Sequence, residues 1–198
     1  EIIKTSGDKF LNTSLSKIGG KGLFTKEIQQ ALIDKRIDIA VHSMKDVETD
    51  LPEKLVISTI LKREDVRDSF ISRRYSSIAD LPLGSVVGTS SLRRKAQLLN
   101  KRKDLKVVEF RGNVQKRLEK LDNNVAVATF LATAGLNRLG LDELINPIST
   151  DEMLPAVAQG AVGIEHLRSE KMEEFLAPLN DSISKERVEA ERAFLREL

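Results

Sequence analysis

The sequence predicts an α/β fold, built as two domains with mixed, mainly parallel sheets. Three observations carry this. From Ser85 to Gly140, apolar runs of strand length alternate with segments of helical period, the mark of βαβ units. Two groups of strands, within 1–60 and 85–129, are separated by the charged stretch Lys62 to Asp68, which reads as a hinge. The chain has 198 residues, 40% hydrophobic and 31% charged, enough for one large core or two small ones.

The elements follow in order. Glu1–Lys4 reads as a short strand, and Thr5 to Gly22, polar and glycine-containing, as a lid-like loop. Phe24, Ile28, Ala31 and Leu32 recur at helical spacing, which predicts a helix over 23–34. Ile37–Val41 is strand-like and runs into His42–Ser43–Met44–Lys45–Asp46, the polar segment expected after a buried strand; Leu55–Ile60 is a second strand. Strands follow at Ser85–Gly88, Leu105–Phe110 and Val125–Thr129. Each leads into a helix, ending near Asn100, Leu121 and Arg138, with Gly140 as the last stop. A proline-containing loop occupies 145–155, a short strand Ala161–Glu165, a helix 169–177, and a charged amphipathic helix Ser182–Leu198. Phe24, Phe70, Phe110 and Phe130 read as core, and His42 as a packing or locally hydrogen-bonded residue.

Composition removes several function classes. There is no cysteine, so no disulfide, thiolate metal site or cysteine nucleophile lies within the chain. The two histidines, His42 and His166, are not at metal-ligand spacing, and no metal is expected. No apolar run approaches the roughly 20 residues that cross a bilayer. The net charge of +2 argues against a protein that coats nucleic acid. Lys101–Arg102–Lys103 lacks an aromatic platform and reads as a solvated loop. Gly19–Gly20–Lys21–Gly22 fails the phosphate-loop pattern, because no glycine stands five residues before the Gly–Lys pair.

The charge distribution is more informative. Thr89–Ser90–Ser91–Leu92–Arg93–Arg94 stands at a strand-to-helix turn, where unpaired N–H groups, hydroxyls and guanidinium forks favour an anion. Arg111–Gly112–Asn113 opens the next helix in the same way, with Arg117 one turn on. Two successive arginine-bearing turns place their cations on one edge of one sheet, and Arg93, Arg94, Arg111 and Arg117 are expected to converge on the cleft between the domains. Ser43, Lys45 and Asp46 follow a strand of the other domain, where Lys45 and Asp46 are candidates for acid/base or electrostatic work.

Seven motifs, in order along the whole chain, resemble the porphobilinogen deaminase (hydroxymethylbilane synthase) family. They are Lys17–Ile–Gly–Gly–Lys–Gly–Leu–Phe24, His42–Ser–Met–Lys–Asp–Val47, Arg63–Glu–Asp–Val–Arg–Asp68, Gly88–Thr–Ser–Ser–Leu–Arg–Arg94, Arg111–Gly–Asn–Val114, Ala134–Gly–Leu–Asn–Arg–Leu–Gly140 and Leu154–Pro–Ala–Val–Ala–Gln–Gly–Ala–Val–Gly–Ile–Glu165. The resemblance implies two periplasmic-binding-protein-like domains and a smaller third domain. It divides the chain into 1–62 with 160–178, 63–159, and 179–198 as the start of the third, with Ala161–Glu165 returning to the first sheet.

The implied activity is a transferase of haem biosynthesis. It joins four porphobilinogen units head to tail into hydroxymethylbilane and releases ammonia each time. By resemblance Asp46 is the catalytic carboxylate, and Ser43, Lys45, Thr89, Ser91, Arg93, Arg94, Arg111, Arg117, Arg138 and Gln159 line the cofactor and substrate cleft. A carboxylate suits the cation left by ammonia loss, and arginines suit the acetate and propionate groups of a growing pyrrole chain. The implied cofactor is dipyrromethane, held by a thioether to a cysteine; none is present here, so the resemblance implies that the family's first strand and its cysteine fall outside these residues and that this polypeptide alone is inactive. A cytoplasmic monomer with no nucleic-acid or membrane partner is expected. The alternative is a two-domain periplasmic-type binding protein for a small carboxylate.

Overall fold

The computed structural model describes residues 3, 5 and 25–197. The expected strand Glu1–Lys4 and the expected lid over 5–22 lie almost wholly outside them. The chain divides into two units, Glu1–Asp65 with Val157–Leu198, and Val66–Ala156.

In the first unit, α1 (Lys26–Ile33) turns Gln29, Ala31 and Leu32 inward. Leu32 packs with Ala40 and Leu55 of the sheet. That sheet holds β1 (Ile39–Ser43), β2 (Leu55–Ile60) and β7 (Val162–Leu167) in the order β1-β7-β2. β7 is antiparallel to both neighbours, with Ser43 opposite Val162 and Ile60 opposite Gly163. The strand expected at 37–41 is displaced to 39–43, because the inward positions are Ala40 and His42 while Ile39 and Val41 stay exposed. A buried histidine thus occupies a place that an apolar pattern does not reveal.

After β7 come α5 (Glu170–Leu176) and α6 (Ser182–Arg196), the latter capped by Asp181, whose side chain accepts from the Ser184 N–H. α6 packs within the first unit, where Val188 completes a core with Met44, Val47, Ile60, Ala158 and Ala161.

The second unit has the sheet order β3-β6-β4-β5, from β3 (Asp68–Ser72), β4 (Val86–Gly88), β5 (Lys106–Val108) and β6 (Ala128–Ala132). β4 is parallel to β5 and β6, whereas β3 is antiparallel to β6. The first sheet is thus antiparallel in both its pairs and only the second is mixed, so the expected mainly parallel pairing does not hold: among the described residues the antiparallel pairs β1–β7, β2–β7 and β3–β6 outnumber the two parallel ones. Each unit contains a strand that returns against the others, β7 and β3.

β3 occupies residues that read as the end of a charged hinge, and its Phe70 meets Phe130 edge-on at 6.1 Å between ring centroids. β6 begins three residues later than expected: Val125 is exposed, and pairing with β3 and β4 selects Ala128–Ala132 from a longer apolar run. The helices α2 (Leu92–Lys101), α3 (Val114–Asp122) and α4 (Thr133–Leu139) follow β4, β5 and β6. Leu98 packs with Phe70, Val87 and Phe130, and Leu118, Leu121 and Leu136 with Phe110 and Leu131.

Candidate functional site

In the second unit, β4, β5 and β6 end at one edge, and the helices α2, α3 and α4 start there. Because β3 runs the other way, its first residue, Asp68, reaches the same edge, directly opposite Ala132. The Thr133 N–H donates to the Arg67 carbonyl at 3.0 Å, and the Ser69 and Thr133 hydroxyls lie 2.9 Å apart, so the start of α4 is tied to β3.

Ser91 caps α2, its side chain accepting from the Arg94 N–H. Buried Thr89 accepts from the Ser91 N–H at 3.2 Å, and the Ser90 hydroxyl accepts from the Phe110 N–H at 3.0 Å. These hydroxyls hold the turn. Asp68 then lies between two guanidiniums: Arg94 donates to its Oδ1 at 2.6 Å and Arg93 to its Oδ2 at 2.7 Å. Burial pushes the fully buried Asp68 carboxyl up, but the charges and hydrogen bonds of Arg94 and Arg93 outweigh it and hold the pKa below the usual value. Burial likewise lowers Arg93, against the pull of Asp68.

The two arginines differ. Arg94 is buried and also donates to the Phe130 carbonyl at 2.9 Å, so both its terminal nitrogens are committed to protein acceptors. Arg93 keeps 22% of its side chain exposed while donating to the Leu154 carbonyl at 2.5 Å. Of this pair, Arg93 is the one oriented by the fold yet accessible to an anion.

Arg111 precedes Asn113, which caps α3 by accepting from the Lys116 N–H at 2.9 Å. Arg117 is one turn into the helix and donates through Nε to the Gly112 carbonyl at 2.8 Å. Both arginines are half-buried. Arg138 is exposed in the last turn of α4, not at the helix start. Arg102, expected in a solvated loop, clasps Asp104 at 2.8 Å and the carbonyls of Ile78 and Leu81 at 2.9 and 2.8 Å.

In the first unit, Ser43 ends β1 and a single 3-10 turn, Met44–Asp46, follows. Met44 is buried, and its N–H donates to the Ala161 carbonyl at 3.0 Å. Ser43, Lys45 and Asp46 are exposed. Met44 seats on Gly163, where any Cβ would come within 2.3 Å of its Sδ. Just before the turn, His42 Nε2 lies 2.8 Å from Oε2 of the fully buried Glu165, whose Oε1 accepts from Gln29 Nε2 at 2.9 Å.

Gln159 is buried, in the turn before β7 and next to Ala158, itself at φ 56. Arg63 Nε donates to the Gln159 carbonyl at 2.9 Å, and the Arg63 fork meets Glu191 of α6 at 2.5 and 3.0 Å. Glu191 also accepts from the Ala158 N–H at 2.7 Å. Gly160 follows at φ 85, and a Cβ there would lie 2.6 Å from the Glu64 carbonyl oxygen, so only glycine lets the two segments pass.

Sequence reasoning missed Asp68, Glu165, Glu191 and Arg192 as organising residues. Asp68 and Glu165 lay inside recognised motifs, each acidic residue beside an apolar run. That position was the available signal for burial.

The family model "Porphobilinogen deaminase, dipyromethane cofactor binding domain" matches residues 1–174. A porphobilinogen deaminase from Paracoccus denitrificans is 57% identical over 199 residues, covering 100% of this chain and 64% of that protein. A chloroplastic porphobilinogen deaminase from Pisum sativum is 57% identical over 200 residues, covering 100% of this chain and 54% of that one. The chain thus spans between about half and two thirds of the length of these relatives. Among solved structures, a periplasmic substrate-binding protein of an ABC transporter from Coxiella burnetii superposes with a TM-score of 0.52 at 13% identity, covering 85% of this chain and 81% of that one. The lipoprotein Tp32 from Treponema pallidum gives 0.52 at 13% identity over 76% of this chain and 72% of that one. Likeness at that identity shows a periplasmic-binding-protein-like fold and no more. With a family model over residues 1–174 and relatives 57% identical along its whole length, the chain belongs to the porphobilinogen deaminase family.

Proposed function

We propose that the protein carrying this chain joins four porphobilinogen units head to tail into hydroxymethylbilane, with release of ammonia at each step, as a transferase of haem and tetrapyrrole biosynthesis. The observation that carries the reading is 57% identity to porphobilinogen deaminases over the whole chain, through the turn bearing Asp46 and the arginine-bearing helix starts. Asp46 is the catalytic carboxylate. Its negative charge stabilises the cation left on the substrate when ammonia departs, and it accepts or returns the pyrrole N–H proton. Lys45 and Ser43 flank it, and Gln159 supplies an amide from the loop held by Arg63. Thr89, Ser91, Arg93, Arg111, Arg117 and Arg138 bind the carboxylate side chains of the pyrroles. Arg94 serves the same site by holding Asp68 and, through it, Arg93.

The donor set fits a dipyrromethane, because guanidiniums and capped helix starts complement its carboxylates. Arg93, Arg111 and Arg117 would hold it by charge. The thioether that anchors it in the family requires a cysteine, and these 198 residues contain none. When bound, dipyrromethane supplies the pyrrole end to which substrate units are joined. The same reading makes the protein a cytoplasmic monomer with porphobilinogen as its small-molecule partner and neither nucleic acid nor membrane as another. No helix among the described residues is long and apolar enough to cross a membrane.

Ammonia release from porphobilinogen by the full-length protein tests the reading, since a carboxylate receptor releases none. Asp46→Asn should slow that release by about 100- to 1,000-fold, the scale of losing one charge aimed at the transition state. Turnover within threefold of the unsubstituted protein would remove Asp46 from the chemistry.

A further inference from the structure

Asp46 is exposed on a turn of three residues, Met44–Asp46. A carboxylate in such a place is useful only if its backbone is held. Upstream the turn is fixed by the sheet: Ser43 pairs with Val162, and Met44 is bonded to Ala161 and seated on Gly163. Downstream, residues 47–50 belong to neither helix nor strand, so no ladder holds them. There the support comes from 145 residues away. Arg192 of α6, buried at 8% exposure, donates to the carbonyl of Val47 at 2.9 Å, to that of Glu48, and to that of Thr49 at 3.3 Å. Three successive carbonyls converge on one guanidinium.

This arrangement is costly as a stabilising device. A buried cation loses hydration that neutral carbonyls replace only in part, and apolar packing of the same volume generally stabilises as well. What a guanidinium supplies is direction: a planar fork of five N–H donors fixes several acceptors at once, which an ammonium cannot do. The neighbouring Glu191 plays the complementary part, its carboxylate accepting from Arg63 and from the Ala158 N–H. Two adjacent residues of α6 thus brace both stretches of the first unit that carry proposed site residues.

We propose that Arg192 is a positioning residue for the reaction, aiming the Asp46 carboxylate by clamping the carbonyls of Val47, Glu48 and Thr49. The inference rests on the role given to Asp46 above. A displacement of about 1 Å at a reacting group can cost up to about 100-fold in rate. In the full-length protein, Arg192→Lys should therefore lower kcat for ammonia release by about 10- to 100-fold and leave KM within about twofold. Because Arg192 acts through Asp46, the two substitutions should be strongly non-additive: in an Asp46→Asn background, Arg192→Lys should cost less than about threefold in single-turnover rate. Arg192→Gln, which keeps one amide donor, serves as the second variant and should show the same pattern.

A full additional loss in the Asp46→Asn background, a kcat change under threefold in the native background, or an effect confined to KM would each overturn the proposal. So would failure of both Arg192 variants to fold, since Arg192 would then hold the unit together rather than aim the turn. Near-normal turnover of Asp46→Asn alone would instead overturn the assignment of Asp46, and this inference with it, which separates the two failures.

Discussion

Replacing Asp68 with Asn removes one charge and almost no volume at the sheet edge where the second unit carries its arginines. Asp68 is fully buried and receives two charge-assisted hydrogen bonds, at 2.6 Å from Arg94 and 2.7 Å from Arg93. A hydrogen bond to a charged group contributes about 1.5–3 kcal/mol, and breaking a buried ion pair from one side costs about 3–5 kcal/mol. Arg93 retains 22% side-chain exposure, so water recovers part of its share, whereas buried Arg94 recovers little. An asparagine also keeps one acceptor. The expected loss is therefore at the low end, about 3 kcal/mol, which shifts a urea midpoint by about 1 M for a slope near 3 kcal/mol/M. Urea unfolding of the full-length protein, followed by circular dichroism, reads this directly.

The pH dependence should change as well. The folded pKa of Asp68 is depressed, so its contribution is fully present above the unfolded value near about 3.9 and is lost as pH falls through the lower folded value. The substituted protein should lack that acid-side loss. A stability difference below 1 kcal/mol at neutral pH, or identical acid transitions, would refute the reasoning that Asp68 organises the two arginines.

Two further outcomes follow from the geometry. Gly160→Ala places a Cβ 2.6 Å from the Glu64 carbonyl oxygen at φ 85, and should destabilise by at least about 1–3 kcal/mol, measured by the same unfolding assay. Arg111→Leu should leave the unfolding free energy within about 0.5 kcal/mol, because Arg111 is half-buried outside the apolar clusters, while retention of a polycarboxylate pyrrole weakens and becomes less salt-sensitive in equilibrium dialysis.

Much of the fold was legible because its signals are local. The Thr89–Ser91 and Arg111–Asn113 turns, with strand before and helix after, are encoded within about ten residues each, and the cations at those helix starts can be named from the sequence alone. The family motifs, spread along the whole chain, were equally readable. Register was not. Whether Val125 or Ala128 begins β6 depends on what β3 and β4 offer it. That Asp68 opens a strand rather than closing a hinge depends on its position opposite Ala132.

Tertiary structure alone decided the polar interior. Asp68 finds Arg93 across 25 residues, Glu165 finds His42 across 123, and Arg192 finds Val47 across 145. In sequence these are ordinary charged residues of an amphipathic chain. They become buried partners only when a returning strand or a late helix closes on the sheet and removes the water that would otherwise solvate them. The sequence by itself determined which polar and cationic side chains stand at the starts of α2 and α3. The folded chain decided which of those charges are neutralised, which are aimed, and which remain exposed, because desolvation and hydrogen-bond geometry are properties of the packed interior.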